Sequence, residues 1–421
     1  MTKILLTTLG SYGDLNPYLG MGRVLKKNGY EVVLCTHANY REPVEKLGLK
    51  FVELKPSLEE LGPEDEWSNH VNHPRTGIEF ILKKILSPYI KHNYEIILKE
   101  SEGCSLIISH LLTIITPLVA EKKQIPYLSC ILQPSTFLSS YEPPILGPLP
   151  FLPKLKFLGP SFFDFLYSIM EKSSNSWFKD LKKFRKEIGL TTKMENPLVK
   201  NFSSHGTLAL FDKDFGEPQK DWPEKTFQVG FPLFDEEKEV ELSLETQKFL
   251  ENGEKPIVFT LGTAIVLTKN NFFETAYRAV KKSGHRAIFL VGKNAKPIHG
   301  YILKDEKIHV SPYEPFSKLF SQAKIIVHQC GVGTTAQALF SGKPQILVPF
   351  AHDQPDNAKI VIEKGIGITI NAQKLNENNL FEAIKLIDSN ENYAKKSLEF
   401  SKKMSLTSFE EEFLKAIKNF I

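Results

Sequence analysis

Residues 325–340 read IIVHQCGVGTTAQALF, and this stretch decides the fold. Its first three residues are β-branched and apolar, which is typical of a short buried strand, and glycines at 331 and 333 end that strand. Small and apolar residues then continue at helical length to Phe340. Strand, glycine turn and helix in this order predict one unit of a parallel α/β sheet. The free N–H groups that open the helix, with the hydroxyls of Thr334 and Thr335, predict an anion site suited to a diphosphate.

Polar residues flank this unit at two predicted strand ends. His328 ends the first strand and either donates to the same phosphate or is a satisfied core histidine. The next strand, Gln345–Val348, leads to Asp353 and Gln354, whose side chains can hold the hydroxyls of a sugar. Asp353 is alternatively a plain helix cap.

The chain opens with the same pattern. A strand over Ile4–Thr8 is followed by the loop GSYGD at residues 10–14 and a helix over Leu15–Asn28. Ligands bind at the carboxyl edge of such sheets, where this loop lies. Asp14 is either a helix N-cap, because the helix dipole favours an anion there, or a general base.

The pattern recurs along the chain and predicts two domains. Strands alternate with helix-length segments from the start, and a second cycle begins at Ile257–Leu261, followed by Gly262 and Thr263, which offer N–H and hydroxyl donors. A chain of 421 residues is too long for one ordinary core. We therefore predict an α/β protein with two Rossmann-like, doubly wound parallel-sheet domains that face a central cleft. The predicted boundaries are 1–234, a linker at 235–245, 246–395, and a C-terminal helix at 396–421 that packs back on the first domain.

The alternation breaks at residues 134–172, where prolines are interleaved with Phe, Leu and Ile. This insertion is either a packed excursion over the sheet or a hydrophobic acceptor pocket or membrane-touching lip.

Composition limits the partners and the compartment. The chain has 53 basic and 49 acidic residues, a net charge of +4, which argues against a nucleic-acid partner. Its four cysteines show no C-x-x-C spacing, which fits reduced cytoplasm rather than a zinc site or disulfides. The first strand begins too early for a signal peptide, and we predict no transmembrane segment. We expect a cytoplasmic protein that can contact a membrane peripherally.

Two motifs carry a resemblance to a known family. HQCGVGTT at 328–335, with Pro349 and DQPDNA at 353–358, resembles the donor signature of family 1 glycosyltransferases of the GT-B fold, especially bacterial members acting on macrolides, glycopeptide aglycones, sterols or lipids. GSYGDLNP at 10–17 resembles their N-terminal loop. The sequence departs from the family at Cys330, where relatives usually have Gly, and at Tyr12, where many bacterial members have Arg.

The resemblance implies roles for the donor-binding residues. Asp353 and Gln354 contact the sugar, and His328 contacts the α-phosphate. Tyr313 and Gln337 are the expected nucleoside contacts, although Gln337, with Ala336, stands where plant relatives have a ribose-binding Glu. The expected diphosphate contacts are Ser11, Gly262, Thr263, His328, Gly331, Gly333, Thr334 and Thr335.

The catalytic pair is reversed relative to plant relatives, which have His at the position of Asp14 and Asp at that of His110. A carboxylate can take the acceptor proton while a neighbouring imidazole relays it, so Asp14 and His110 are the predicted catalytic residues. His110 is alternatively a wall residue of the cleft. The DKD at 212–214 spells a metal-binding pattern, but it follows a strand of the wrong domain, and we interpret it as a solvated loop.

These observations predict an inverting, metal-independent enzyme without a cofactor. It transfers a hexose, with glucose favoured, from a UDP-sugar to a hydroxyl of a hydrophobic small-molecule or lipid acceptor, with a dTDP-sugar as the alternative donor. Two other functions stay open: a sugar-nucleotide epimerase on the same fold, and a noncatalytic protein that binds a nucleotide sugar or a lipid.

Overall fold

The computed structural model describes residues 2–200, 202–235, 240–262, 271–292, 300–404 and 408–421. The chain forms two compact units, one of residues 1–234 with 407–421 and one of residues 235–406. Thr263 and residues 236–239 of the predicted linker lie outside the described residues.

The first unit contains a sheet of seven parallel strands in the order β3-β2-β1-β4-β5-β6-β7. The strands are β1 Lys3–Thr7, β2 Glu31–His37, β3 Lys50–Leu54, β4 Cys104–His110, β5 Tyr127–Ile131, β6 Gly206–Ala209 and β7 Thr226–Gln228. The α-helices are Tyr12–Lys27, Arg41–Lys46, Leu58–Leu61, Glu64–Val71, Gly77–Phe80, Ile90–Glu100, Thr116–Lys123, Pro160–Ser174, Lys179–Glu187 and Phe409–Ile417, with a π-helical turn at Ile81–Leu86.

The second unit contains a sheet of six parallel strands in the order β10-β9-β8-β11-β12-β13. The strands are β8 Ile257–Thr260, β9 Ala287–Leu290, β10 Ile308–Ser311, β11 Ile325–His328, β12 Gln345–Leu347 and β13 Gly367–Thr369. The described α-helices are Leu244–Glu251, Phe272–Ser283, Gly300–Leu303, Phe316–Leu319, Val332–Phe340, Gln354–Glu363, Glu377–Ser389 and Glu391–Met404.

The interior residues of the central strands are apolar because a parallel sheet is covered on both faces. Ile4, Leu5 and Leu6 of β1 are fully buried, as are all four residues of β11. The predicted α/β fold with two Rossmann-like parallel-sheet domains is therefore confirmed.

The first helix begins earlier than the sequence pattern predicts. It starts at Tyr12 rather than Leu15, because Ser11 is its N-cap and closes a capping box with Asp14. Asp14 therefore lies inside the first helical turn, not before it.

The two C-terminal helices belong to different units. In helix Glu391–Met404, the Ser401 hydroxyl donates to the carbonyl of Phe340 at 2.7 Å, within the second unit. In the first unit, Glu410 next to the start of the last helix accepts from Lys27 at 2.8 Å.

The insertion at 134–172 has its own small core. Leu152, Phe163 and Tyr167 are buried against each other, and residues around them are half-buried. Phe157 and Phe165, by contrast, are exposed. The insertion thus packs on itself while presenting apolar side chains to solvent.

The prediction of a solvated DKD loop is wrong for Asp212, the first residue of the pattern. Its side chain is buried, and its Oδ1 atom accepts the N–H of Asp214 at 2.7 Å. A carboxylate that caps its own turn in this way is structural.

Among the described residues, no helix is long and apolar enough to cross a membrane.

A buried carboxylate joins two elements of the second unit. Glu314, which is 1% exposed, accepts hydrogen bonds from Ser243 N–H at 3.0 Å and from the hydroxyls of Ser243, Thr246 and Ser311. Burial alone raises the pKa of Glu314, but these hydrogen bonds outweigh it and lower the pKa below the ordinary value. The ionised carboxylate thus fixes helix Leu244–Glu251 to the loop after β10.

We expect Glu314→Ala to lower the free energy of unfolding by roughly 2–5 kcal/mol, because it leaves buried donors without an acceptor. Chemical denaturation measures this loss. Glu306→Ala, at an exposed glutamate of the same region, should change stability by no more than about 0.5 kcal/mol.

The stabilisation by Glu314 depends on pH with a defined sign. Because the pKa is lowered in the folded state, the contribution is complete above the ordinary value of 4.5 and is lost as the pH falls through the folded pKa. The stability difference between the native chain and Glu314→Gln should therefore shrink in acid, and a difference that is constant across this range would contradict the assignment.

Candidate functional site

The direction of strand order changes once in each sheet, between β1 and β4 and between β8 and β11. At such a point the crossover helices leave on opposite faces, and a crevice opens beyond the carboxyl ends of the strands. Asp14 follows β1 and His110 ends β4, whereas Gly262 follows β8 and His328 ends β11. Four predicted site residues thus lie at the ligand-binding edge of their sheets.

Local hydrogen bonds hold the Asp14 carboxylate at one of its two oxygens. Its Oδ2 atom accepts from the N–H of Ser11 at 2.7 Å and from the Ser11 hydroxyl at 3.1 Å. The Ser11 hydroxyl in turn accepts the N–H of Gly13 at 3.1 Å. The Oδ1 atom takes no part in this capping box and faces His110.

His110 lies beside Asp14 in the same unit. Its Nε2 atom is 3.7 Å from Asp14 Oδ1, and its Nδ1 atom is 3.3 Å from the carbonyl oxygen of Leu9. Burial lowers the pKa of His110, and the charge of Asp14 opposes this only in part. A neutral ring that donates from Nδ1 to Leu9 directs the Nε2 lone pair toward Asp14. The structure thus brings the two predicted catalytic residues together.

Buried hydroxyls fix the chain after β4. The hydroxyl of Thr113 donates to the carbonyl of His110 at 2.7 Å and lies 3.0 Å from the hydroxyl of Thr7 on β1. Ser109 and Thr116 continue this chain of hydroxyl contacts. His110 is therefore set relative to β1 by a fully buried network.

Gly10 of the predicted loop shapes the position of Asp14 together with His37 and Tyr40, which the sequence analysis did not single out. Gly10 has φ +130°, and a Cβ atom there would lie 2.3 Å from Asp14 Oδ2, so only glycine fits. The N–H of Gly10 donates to His37 Nε2 at 3.2 Å, and its carbonyl accepts from the Tyr40 hydroxyl at 3.0 Å. His37 Nδ1 lies 2.8 Å from the carbonyl of Pro56, which fixes the neutral tautomer that accepts from Gly10.

In the second unit, helix Val332–Phe340 begins directly after Gly331. The N–H groups of its first turn have no partner within the helix. That of Val332 donates to Asp353 Oδ2 at 3.2 Å, and Asn357 donates to the same oxygen at 2.5 Å. A Cβ at Gly333 would meet none of the described residues within 4 Å. The structure therefore links the two halves of the donor motif through Asp353.

His328 is fully buried, and both of its ring nitrogens have partners. Nε2 donates to Gln345 Oε1 at 2.9 Å, and Nδ1 accepts the N–H of Cys330 at 3.2 Å. Burial lowers the pKa of His328 to about 4, so the ring is neutral. A direct contact with phosphate therefore requires one of these two hydrogen bonds to open.

Cys330 adopts a left-handed backbone conformation with φ +72°, which is uncommon for a residue with a side chain. This is the position where relatives usually have Gly. Asn357 donates to the Cys330 carbonyl at 2.9 Å, and the His328 ring accepts the Cys330 N–H. The surrounding hydrogen bonds thus hold a strained loop in place.

Gln329 lies between the two loops of this site and was not predicted. Its side chain packs against Gly262, where φ is +64° and a Cβ would lie 2.2 Å from Gln329 Nε2. Four buried polar atoms here have no hydrogen-bond partner among the described residues: Gln329 Oε1, Thr335 Oγ1, Gln345 Nε2 and Asn357 Oδ1. Such a cluster is typical of a site that a ligand or water completes.

The other residues predicted to contact the donor form hydrogen bonds with protein groups near them. Gln354 Oε1 accepts the N–H groups of Phe350 and Ala351, at 2.8 and 3.2 Å. Gln337 donates to Asp235 at 3.3 Å, and the Tyr313 carbonyl accepts from Ser311 at 3.0 Å. Thr334 is buried near the helix start. Among the described residues, no group of three or more His, Cys, Asp or Glu side chains could hold a metal ion.

Two family models match this chain. The glycosyltransferase family 28 N-terminal domain matches residues 4–141, and the C-terminal domain of the erythromycin biosynthesis protein CIII type matches residues 293–419.

Curated relatives match most of the chain. A sterol 3-beta-glucosyltransferase of Pichia angusta is 26% identical over 92% of this chain, and an O-mycaminosyltylonolide 6-deoxyallosyltransferase of Streptomyces fradiae is 26% identical over 84% of it. The chain covers 82% of the Streptomyces protein but only 31% of the Pichia protein, and 33% of a similar one from Komagataella phaffii. It thus spans about a third of the length of these two sterol glucosyltransferases.

Solved structures share the fold over the whole chain. The glycotransferase of kitacinnamycin superposes with a TM-score of 0.74 at 16% identity, covering 100% of this chain and 99% of that one. The glycosyltransferase VinC in complex with dTDP gives 0.67 at 16% identity, covering 99% of both. The two sheets and these neighbours show that the chain has the GT-B fold. The N-terminal part of the chain is similar to the family 28 N-terminal domain, and the C-terminal part is similar to the erythromycin biosynthesis protein CIII-like domain.

We expect Gly10→Ala to lower glycosyl-transfer turnover by roughly 10²-fold or more, because the new Cβ displaces the Asp14 carboxylate. Gly29→Ala is the matched control: its φ is +82°, and a Cβ there meets no atom of the described residues within 4 Å. Both variants place an alanine at a positive φ, and Gly10→Ala adds the close contact with Asp14, so its melting temperature should fall further than that of Gly29→Ala. Equal turnover in the two variants would show that the Gly10 loop does not position Asp14.

Proposed function

We propose that this protein is an inverting glycosyltransferase that moves a hexose from a nucleoside diphosphate to a hydroxyl of an apolar small-molecule or lipid acceptor. The observation that carries the proposal is the pairing of Asp14 Oδ1 with His110 Nε2, 3.7 Å apart, at the carboxyl edge of the first sheet. Two hydrogen-bond acceptors at this separation suit a hydroxyl proton that has to be removed.

Asp14 is the proposed general base. Its Oδ2 atom is held by Ser11, so the carboxylate keeps its orientation while Oδ1 takes the acceptor proton. Neutral His110 shares that proton through Nε2, and its bond to Leu9 keeps the ring in place. The acceptor oxygen then attacks the anomeric carbon from the side opposite the diphosphate, which inverts the configuration.

The donor is proposed to bind the second unit. The helix N-terminus at Val332, the open turn at Gly333 and the hydroxyls of Thr334 and Thr335 are suited to the diphosphate. Asp353 and Gln354 are proposed to hold the sugar. His328 supports this loop through Cys330, and its proposed contact with the α-phosphate follows when that bond opens.

The proposed donor is a UDP-hexose, with glucose favoured, and the alternative is a dTDP-sugar. Glucose is supported by the sterol 3-beta-glucosyltransferases among the relatives, and the dTDP alternative by neighbours solved with dTDP. The proposed acceptor is apolar. The support is the apolar character of the side chains at the strand ends beside His110, since the cavity that they line together with Asn93 and Thr113 is only about 10 Å³, enough for one water molecule and not for an acceptor. Its lining includes Leu9, Leu54, Leu86, Ile90, Leu112, Ile114 and Ile115.

The proposal is tested by a panel of UDP- and dTDP-hexoses, each with a set of sterol, polyketide, phenolic and lipid acceptors, read by mass spectrometry. We expect a mass gain of one hexose on an apolar acceptor, with inverted anomeric configuration by NMR. Incubation with donor alone separates the alternatives, since an epimerase changes the sugar without an acceptor. Donor binding with neither reaction would leave only a binding protein.

We expect transfer to persist in EDTA, because the helix N-terminus and backbone N–H groups neutralise the leaving diphosphate. Turnover is measured with and without the chelator on one preparation. Complete loss in EDTA that manganese restores would contradict a metal-independent reaction.

We expect Asp14→Asn to reduce turnover by roughly 10²–10⁴-fold while leaving nucleotide affinity nearly unchanged. Asparagine keeps the size and a capping oxygen for Ser11 but cannot take a proton. Turnover, nucleotide affinity and melting temperature, measured on one preparation, distinguish Asp14 as a general base from Asp14 as a helix cap. If Asp14 were only a cap, the variant would lose at most about 1 kcal/mol of stability and keep its rate.

A further inference from the structure

An apolar surface lies on the insertion of the first unit. Five large side chains of residues 151–169 are exposed: Phe151 at 49%, Phe157 at 79%, Leu158 at 45%, Phe165 at 63% and Ile169 at 45%. We call these five residues the apolar surface. Exposed aromatic side chains in one short segment are typical of an interaction site.

The helix Pro160–Ser174 needs none of these side chains for its own packing. Phe163 and Tyr167 bury its inner face against Leu152. Phe165 and Ile169 are four residues apart and share the opposite face. The exposed apolar residues are therefore additional to the core of the insertion.

Positive charge accompanies the apolar surface. Residues 151–200 contain ten Lys and Arg against five Asp and Glu, a net charge of +5, whereas the whole chain carries +4. Lys154 lies in the segment Leu152–Leu158, and Lys172 follows Ile169 by three residues on the same helix face. Neither lysine has a carboxylate partner within the described parts of the chain. Lys156 and Arg185 of this segment pair with Glu142 and Glu121 outside it, so the argument for positive charge beside the apolar surface rests on Lys154 and Lys172.

We propose that the apolar surface docks on an anionic lipid bilayer. The Phe, Leu and Ile side chains enter the boundary between head groups and acyl chains, and Lys154 and Lys172 contact lipid phosphates. Charge favours a membrane over a second copy of this chain, because self-association through this surface brings Lys154 and Lys172 close to the same lysines of the second copy. The charge of the two lysines also favours a membrane over a neutral apolar ligand, because such a ligand carries no anionic group for them to bind.

The test is sedimentation of the full chain with vesicles of phosphatidylcholine alone or mixed with phosphatidylglycerol. We expect binding to the mixed vesicles that weakens as salt is added. The double variant Phe157→Ser and Phe165→Ser should bind the mixed vesicles more weakly by a factor of roughly ten or more, since two exposed aromatic rings no longer enter the bilayer. Lys154→Gln and Lys172→Gln should each weaken binding about fivefold.

Leu244→Ser is the matched control, because Leu244 is 68% exposed in the second unit and should not affect binding. The measurement needs neither donor nor acceptor, so its outcome is independent of the proposed glycosyl transfer. The proposal is overturned if the native chain does not bind the mixed vesicles, or if the Phe double variant binds them with the affinity of the native chain. It is also overturned if sedimentation velocity shows a dimer that this double variant dissociates.

Discussion

Parallel strand pairing is the constraint on which the functional residues depend. In a parallel sheet all strands end at the same edge, so side chains far apart in the sequence meet there. Asp14 and His110 come together because β1 and β4 are neighbours in the first sheet. His328 and the Gly262 loop come together in the second because β8 and β11 are neighbours. A change that altered either pairing would separate these groups without touching them.

Neutral histidines stabilise both glycine-rich loops by the same interaction. His37 accepts the N–H of Gly10 in the first unit, and His328 accepts the N–H of Cys330 in the second. Burial lowers the pKa of His37 and that of His328, which keeps the accepting nitrogen unprotonated. As the pH falls below the ordinary histidine value, protonation competes with both hydrogen bonds, so acid weakens the loops that carry the proposed base and the proposed diphosphate site.

The sequence predicts the parts of this site that depend on a local pattern. Alternation of apolar strands and helices predicts both sheets, and a strand followed by glycines predicts each loop. Gln329 and His37 could not be found this way, since their roles come from packing against Gly262 and Gly10 in other parts of the chain. The buried state of His328 likewise depends on Gln345, which the sequence analysis placed only in a strand.

A carboxylate lies at the N-terminus of a helix in each unit, and the two cases differ in how the carboxylate is attached. Asp14 belongs to the helix it caps, so it cannot leave the N-terminus while that helix stays folded. Asp353 caps a different helix and reaches the N–H of Val332 from outside. On the proposed function, a diphosphate and this carboxylate repel each other and compete for the same N–H. A diphosphate that takes the N–H of Val332 would leave Asp353 Oδ2 bound to Asn357 alone, and this oxygen could then accept from a sugar hydroxyl as its second donor. The same helix-terminal electrostatics therefore fix the base in one unit and make the donor site responsive to its ligand in the other.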